Sequence, residues 1–170
     1  MVSLKGCIVA LSVVYLSLSA LVNAAEAAAG AGGISYCATA SDKAMCENVT
    51  KTATNWNQAM TMGLKEAMKH SDSIILKSKT VSLGKSKCGE TYDNINARLK
   101  ECMDLVNKGD ANDEINFKLS AAVTGLEDCE IALEVLKDEN TPFYESHRHF
   151  NHILDVCLAI DKSKHEKSEL

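Results

Sequence analysis

Histidines and cysteines are the residues of this 170-residue chain that could build a metal site or a reactive centre. Three histidines, His147, His149 and His152, lie close together in the sequence. In a helix, His149 and His152 share one face, whereas His147 lies about 200° away from His149. Because no pair of closely spaced cysteines completes a metal motif, we predict no metal site and expect solvent-facing imidazoles. His70 and His165 are isolated in the sequence and indicate no site.

The sequence contains none of the short motifs that mark common catalytic centres. It has no Gly-x-Ser-x-Gly, no His-Glu-x-x-His and no Gly-rich phosphate-binding loop. The cysteines fall within helical apolar patterns, where thiols usually pack rather than react. We therefore predict that the protein is not an enzyme and uses no cofactor. Trp56, Met60 and Met62 could line a small-ligand pocket, although such a stripe more often belongs to a core.

The first 24 residues are typical of a secretory signal peptide. Lys5 precedes an uninterrupted stretch of apolar and small residues over 7–22, which is followed by Asn23 and Ala24. That stretch is shorter than the roughly 20 residues of a membrane helix, and no second one follows. We expect residues 1–24 to be removed, residues 25–33 to form a flexible Ala- and Gly-rich lead, and the protein to be secreted without a membrane anchor.

The composition indicates a helical globular domain. The chain has 18 basic and 23 acidic side chains and a net charge of −5, which argues against binding to nucleic acid. One Pro and 9 Gly leave few of the turns that a barrel or sandwich needs. Six cysteines remain after the predicted cleavage, and in an oxidising compartment we expect disulfides.

Apolar residues recur in steps of three and four along four segments, which predicts four long amphipathic helices. We call these rows the apolar seams; they contain Met60, Leu64, Ala67, Ser71, Ile74, Ser78 and Val81; Cys88, Tyr92, Ile95, Leu99, Cys102 and Val106; Ile115, Leu119, Ala122, Leu126, Cys129, Leu133 and Leu136; and Phe150, Ile153, Cys157 and Ile160. Short breaks at 82–84, 107–110 and 138–142 make consecutive helices antiparallel. The predicted fold is all-α, an up-down-up-down four-helix bundle, with a hairpin of shorter helices over 34–57 and a charged tail over 164–170.

This topology predicts which cysteines are paired. If the second helix hairpin turns at residues 108–109, Cys88 and Cys129 each lie 20 residues from the turn and sit level on neighbouring helices. Cys37 and Cys46 form a local pair that closes a small loop in the N-terminal segment. We therefore expect a bundle that is braced by these two disulfides.

The remaining two cysteines are predicted to be buried free thiols. Counting residues from the turns places Cys102 and Cys157 about 12–15 Å apart along the bundle axis. They also lie on helices at diagonally opposite corners of the bundle. A disulfide needs Cα atoms within about 7 Å, so these two should not be bridged.

One N-glycosylation sequon is present, Asn48-Val49-Thr50. It lies two residues after Cys46, where burial in a helix could block its use. Asn48 is therefore a candidate glycosylation site.

Two segments resemble signature segments of the plant invertase and pectin methylesterase inhibitors. The first is Cys88-Gly-Glu-Thr-Tyr92-Asp93, followed by Leu99, and the second runs from Leu119 through Thr124 to Cys129. The resemblance extends from about Tyr36 to Ile160, so that an inhibitor domain over 34–163 is expected. It implies an N-terminal helical hairpin on a four-helix bundle and the same two disulfides. It also implies a secreted protein of the plant cell wall that covers the active-site cleft of a carbohydrate-active enzyme, with no cofactor.

Two departures from the family pattern bear on the target enzyme. Lys43-Ala44-Met45 stands where a Tyr-Pro pair often precedes the second cysteine, and Ala111-Asn112-Asp113 stands where cell-wall invertase inhibitors carry Pro-Lys-Phe. The resemblance therefore favours pectin methylesterase as the partner, with acid invertase as the alternative, and a monomer before complex formation. Thr124, with nearby Glu90 and Asp93, is the candidate contact region.

Two other classes of secreted helical protein remain as alternatives. A small-ligand carrier of the insect odorant-binding kind would need two cysteines separated by three residues, whereas the closest pair after the signal peptide is Cys37 and Cys46. A cytokine-like ligand would share the bundle but usually has long crossover loops, which the short breaks do not allow.

The clustered histidines also suggest a dependence on pH. If His147, His149 and His152 face the partner, loss of their charge between about pH 5 and pH 8 should weaken complex formation.

Overall fold

The structure, a computed structural model, describes residues 35–80, 87–110, 112–135 and 142–166. These ranges contain five helices and no strand: α1 (Lys43–Thr50), α2 (Trp56–Thr80), α3 (Lys87–Lys108), α4 (Glu114–Val135) and α5 (Pro142–Glu166). The four long helices pack in a ring, α2 against α3, α3 against α4, α4 against α5, and α5 back against α2. The predicted all-α four-helix bundle is confirmed. The predicted signal peptide and lead, 1–33, lie outside the described residues.

The core consists of the four predicted apolar seams. Each seam residue within the described ranges is buried, with at most 3% of its surface exposed. Ser71 and Ser78 are included, and the small Ser78 side chain donates a hydrogen bond to the Ile75 carbonyl, 2.8 Å away. None of the helices in these ranges combines the length and the hydropathy needed to cross a membrane.

The turn between α3 and α4 is fixed by a buried carboxylate. Gly109 adopts a φ of 80°, and Asp110 then caps α4 by accepting a hydrogen bond from the Glu114 amide at 2.8 Å. The Lys164 ammonium donates to the Asp110 carbonyl at 2.8 Å and lies 3.7 Å from its carboxylate. Lys164 and His165, which the sequence analysis assigns to the charged tail, therefore belong to α5, and this end of α5 holds the turn in place.

The N-terminal segment is simpler than a pair of helices within the described residues. A turn at 36–39 leads into α1, the single helix of this segment. The Asp42 carboxylate caps α1 by accepting from the Met45 amide at 2.9 Å. Ser41 donates from its amide and its hydroxyl to Asp155 of α5, at 2.9 and 2.7 Å. The segment is thus anchored on the bundle just before α1 begins.

Trp56 is part of the packing and does not form a pocket with Met60 and Met62. Its indole N–H donates to the Ile160 carbonyl at 2.8 Å, and the Lys164 ammonium lies 5.1 Å from its ring centroid. Met60 is fully buried, and only Met62 borders open clefts on the surface. The pocket considered from these three residues is therefore not present.

The structure contains two disulfides, Cys37–Cys46 and Cys88–Cys129, with Cα–Cα distances of 5.7 and 5.2 Å. They are the two pairs that the sequence predicts. Cys102 and Cys157 are free and buried, and burial raises the pKa of both thiols, that of Cys102 to about 12. Neither thiol is reactive near neutral pH, because the nucleophilic thiolate is not populated.

We expect the mature protein, which lacks Cys7 of the predicted signal peptide, to resist alkylation at pH 8 and to gain two modified cysteines when it is unfolded without reductant. Burial and the raised pKa values protect Cys102 and Cys157, and the disulfides protect the other four cysteines. Peptide mass spectrometry of the alkylated chain identifies the modified positions. A peptide that links Cys102 to Cys157, or a label on Cys88, would contradict this assignment.

Candidate functional site

The outward surface of α4 carries a row of exposed residues that we call the outer stripe: Phe117, Thr124 and Ile131. Phe117 is 73% exposed and Ile131 is 61% exposed, and Thr124 lies exposed between them. A spacing of seven residues turns a helix by only about −20°, so the three side chains point the same way over about 21 Å. Among the described residues, only Leu76 of α2 is a comparably exposed large apolar residue. The outer stripe therefore places two exposed large apolar side chains on one face of α4, with Thr124 between them.

Thr124 is held in place by its own helix. Its hydroxyl donates to the Ser120 carbonyl one turn earlier, at 3.2 Å. The hydroxyl proton is therefore used within α4, whereas the oxygen lone pairs and the methyl group face outward. A partner would meet Thr124 as a small, fixed surface.

A close contact between α3 and α4 fixes the height of Thr124 along the bundle axis relative to the residues of α3. A Cβ atom on Gly125 would lie 3.3 Å from the Thr91 methyl carbon, so the absence of a side chain at Gly125 permits this approach. Glu90 is exposed beside Thr91 and lies within about one helical turn of the level of Thr124. Asp93 is also exposed, but it lies about 160° around α3 from Thr91 and so faces away from α4. Glu90 lies about 100° around α3 from Thr91, so it is nearer than Asp93 to the α4 side of the helix.

A hollow of about 590 Å³ lies beside Phe117, between α4 and α5. Leu158 and Ala159 form part of its wall, and Asp155 forms another part. A second hollow of about 260 Å³ continues along the same groove past Val123. The aromatic ring of Phe117 therefore projects next to a concave surface, an arrangement that could receive side chains of a partner.

Acidic side chains lie near Thr124 in the middle of the outer stripe, whereas Lys162 borders the hollow beside Phe117. Glu127 and Asp128 lie exposed on the next turn after Thr124, and Glu90 is exposed on the adjacent helix. Lys118 is neutralised, because its ammonium donates to the Glu101 carboxylate at 2.6 Å. That hydrogen bond lowers the pKa of Glu101 and raises the pKa of Lys118. A partner that docks here would need a basic surface around its apolar contacts.

Comparison with protein families matches residues 34–160 to the plant invertase/pectin methylesterase inhibitor family. The chain belongs to this family. A solved structure, described as a mutant form of a pectin methylesterase inhibitor from Arabidopsis, is similar over 74% of this chain and 92% of that one. Its TM-score is 0.64 at 16% sequence identity, a likeness that shows the fold. Comparison with curated proteins gives no match. Membership of a family of inhibitors confirms the predicted resemblance and the prediction that the protein is not an enzyme.

In this family member, one of the clustered histidines is not solvent-facing, contrary to the expectation from the sequence. His147 is fully buried, with its Nδ1 2.8 Å from the Tyr92 hydroxyl, which in turn lies 3.4 Å from the Cys129 sulfur. Its Nε2 has no hydrogen-bond partner among the described residues, and burial lowers the pKa of His147. His147 packs inward because it lies one turn before Phe150, on the buried face of α5.

The other histidines of the cluster are exposed, and one of them has a neighbour that the sequence did not indicate. His149 and His152 lie at the surface, and the His70 ring of α2 lies 4.6 Å from the His149 ring. Partial burial, followed by the charges of His70 and His152, lowers the pKa of His149. His70 is thus not isolated, since its Nε2 is also 3.1 Å from the Glu66 carboxylate. His147, His149 and His152 cannot meet a partner as one group.

His165, the other histidine interpreted as isolated, lies 3.4 Å from the Asp113 carboxylate at the start of α4. Across the described residues, no cluster of histidine, cysteine, aspartate and glutamate side chains has a geometry that could hold a metal ion.

The Asn48 side chain is exposed on α1. Thr50 of the same sequon is buried, and its hydroxyl donates to the Cys46 carbonyl at 2.9 Å. The asparagine that would carry a glycan is therefore accessible in the folded protein, and Asn48 stays a candidate site.

Proposed function

We propose that this protein is a secreted inhibitor of a pectin methylesterase and acts by covering the active-site cleft of that enzyme. Membership of the invertase/pectin methylesterase inhibitor family is the observation that carries this proposal. The signal-peptide pattern over residues 1–24 supports export to the cell wall. The mechanism is steric, because a helical bundle laid across a cleft excludes a polymeric substrate without any chemical step.

We propose the outer stripe, together with Glu90, as the docking surface. Phe117 and Ile131 are the apolar anchors, and Thr124 between them leaves room for close approach of the enzyme. The bundle beneath them is rigid, since the seams are buried and the Cys88–Cys129 disulfide joins α3 to α4. A preorganised surface loses little conformational entropy on binding, so an interface of about 1,600 Å² with a few buried anchors can reach nanomolar affinity.

The acidic residues near the outer stripe indicate which charge the partner should carry around its cleft. Glu90, Glu127 and Asp128 favour an enzyme whose cleft is bordered by basic side chains. Charge attraction of this kind mainly raises the association rate and is screened by salt. The association rate should therefore fall as ionic strength rises, with a smaller change in the dissociation rate.

Pectin methylesterase is preferred over acid invertase because of the turn between α3 and α4. Ala111-Asn112-Asp113 stands in place of the Pro-Lys-Phe motif of invertase inhibitors. Lys164 of α5 holds Asp110 at the start of this turn, and the three residues that follow include no large apolar side chain that could act as a wedge. An acid invertase is the alternative target, and the protein is proposed to be a monomer before it binds.

The central test is inhibition of both enzymes by the mature protein at micromolar concentration between pH 5 and pH 7. We expect slowing of pectin methylesterase, and we expect Thr124→Arg to weaken it at least tenfold, or about 1.4 kcal/mol. A bulky charge at the centre of the outer stripe would hold the two surfaces apart.

The matched control is Ser73→Arg, which places the same side chain at an exposed position of α2. It should inhibit like the unchanged protein, and the helical circular dichroism of both variants should be retained. Equal inhibition by both variants would remove the outer stripe from the proposal. Slowing of invertase alone would show that the interpretation of the α3–α4 turn is wrong, and slowing of neither enzyme would reject both targets.

A further inference from the structure

A second surface, distant from the outer stripe, has the features of a small-molecule site. A groove of about 670 Å³ runs between α1, the middle of α2 and α5. Its floor is apolar and consists of Met45 and Val49 from α1, Met62 from α2 and Ile153 from α5. This volume is in the range of clefts that bind drug-sized molecules. Methionine side chains adapt their shape to different apolar ligands.

The rim of this groove is basic, although the chain carries a net charge of −5. Lys51 at the end of α1 and Lys65 of α2 line it, and neither forms an ion pair with any described residue. Glu66 is the one acidic side chain in the lining, and its carboxylate is already engaged by Lys69 at 3.4 Å and by His70 at 3.1 Å. The groove therefore offers two unneutralised ammonium groups above an apolar floor.

We infer that this groove binds an amphipathic organic anion, a molecule with an apolar body and a single carboxylate or sulfonate. The apolar body lies on Met45, Met62 and Ile153, and the anionic group lies between Lys51 and Lys65. An uncharged apolar molecule would leave the two ammonium groups without a partner, and a cation would be repelled by them. This site is separate from the proposed inhibition and does not depend on it.

Asn48 borders the same groove, so a glycan there would stand at its entrance. The experiment therefore uses the mature protein with Asn48→Gln. The probe is anilinonaphthalene sulfonate, whose fluorescence rises in an apolar site. We expect saturable binding of one dye, displaced by dodecanoate below its micelle concentration but not by dodecyltrimethylammonium, which has the same tail and the opposite charge.

Two variants locate the site. Reversing both rim charges, Lys51→Glu with Lys65→Glu, should weaken binding of dye and dodecanoate at least tenfold. The matched control, Lys79→Glu with Lys100→Glu, makes the same change in net charge at exposed positions on α2 and α3 and should change binding less than twofold. Ala44→Trp fills the groove from an exposed position and should abolish binding without disturbing the core.

Methyl NMR locates the binding site independently of the variants. On addition of dodecanoate, the Met45 methyl resonance should shift, and that of Met103, which packs against the core from α3, should not. Equal displacement of the dye by the anionic and the cationic surfactant would overturn the inference. Equal weakening by the two double charge reversals would overturn it as well.

Discussion

Replacing Cys88 and Cys129 together with alanine lowers the free energy of unfolding by about 4 kcal/mol, the largest effect that we expect in this protein. The disulfide closes a loop of 41 residues, which contains most of α3 and α4 and the turn between them. Without the bridge, the unfolded chain regains the entropy of that loop. The variant should still fold at room temperature, because the four buried seams remain.

Two controls separate the cross-link from the packing of its sulfur atoms. Replacing the free thiols Cys102 and Cys157 with alanine removes two buried sulfurs without opening a bridge, and it measures the loss due to packing alone. Removing Cys37–Cys46 opens a loop of only 9 residues and should reduce the free energy of unfolding by about 2–3 kcal/mol. Chemical denaturation of the three variants gives the comparison. A loss at Cys88–Cys129 no greater than that of the free-thiol variant would show that the bridge does not stabilise the protein.

The bundle could be predicted from the sequence because the apolar pattern that defines each helix is contained within one continuous segment. Each long helix has a seam of apolar and small residues in steps of three and four, and the breaks between seams are too short for anything but antiparallel neighbours. That topology sets residue levels, so the partner of Cys88 follows from counting residues from the turn. The N-terminal segment has no such seam, and its single helix depends on contacts from Ser41 to Asp155, far away in sequence.

A seam that begins at Phe150 does not reveal the burial of His147. Extending it backwards by three and then four residues gives His147 and Phe143, both of which are buried. The outer stripe was missed for a related reason. Phe117 and Ile131 lie off the α4 seam, each seven residues from Thr124 and on the same face, so the seam pattern does not include them. Apolar residues outside a seam are the signal that could have indicated them.

His147 should make the protein less stable in acid. In the folded state the imidazole is fully buried and its pKa is lowered, whereas in the unfolded chain it titrates near 6.5. Below that pH the unfolded state binds a proton that the folded state does not, so the free energy of unfolding decreases as pH falls. The slope for one group is at most about 1.4 kcal/mol per pH unit, so the loss between pH 7 and pH 5 is at most about 2 kcal/mol.

We assign the loss of stability in acid to His147 because of the surroundings of its two ring nitrogens. Nδ1 is paired with the Tyr92 hydroxyl, and Nε2 has no partner among the described residues, so a proton on this ring would place a charge in the core without a hydrogen-bond acceptor at Nε2. The Glu130 carboxylate favours the charged form, but burial outweighs it and the pKa is lowered. Asp161 acts in the opposite direction, since burial raises the pKa of its carboxyl and protonation there favours the folded state. Asp161 is unchanged in a His147 variant, so its contribution cancels in the comparison.

The deciding measurement is the free energy of unfolding from pH 7 to pH 5 for the unchanged protein, His147→Gln and His147→Leu. Glutamine keeps an acceptor for the Tyr92 hydroxyl and leucine does not, so the two variants should differ in stability at pH 7. Both lack a titrating group at this position, so both should lose less stability than the unchanged protein over this range, by up to about 2 kcal/mol. The control His149→Gln removes an exposed imidazole and should alter the slope much less. If both His147 variants keep the slope of the unchanged protein, the folded state accepts a proton at His147, and its burial does not control the acid sensitivity of the fold.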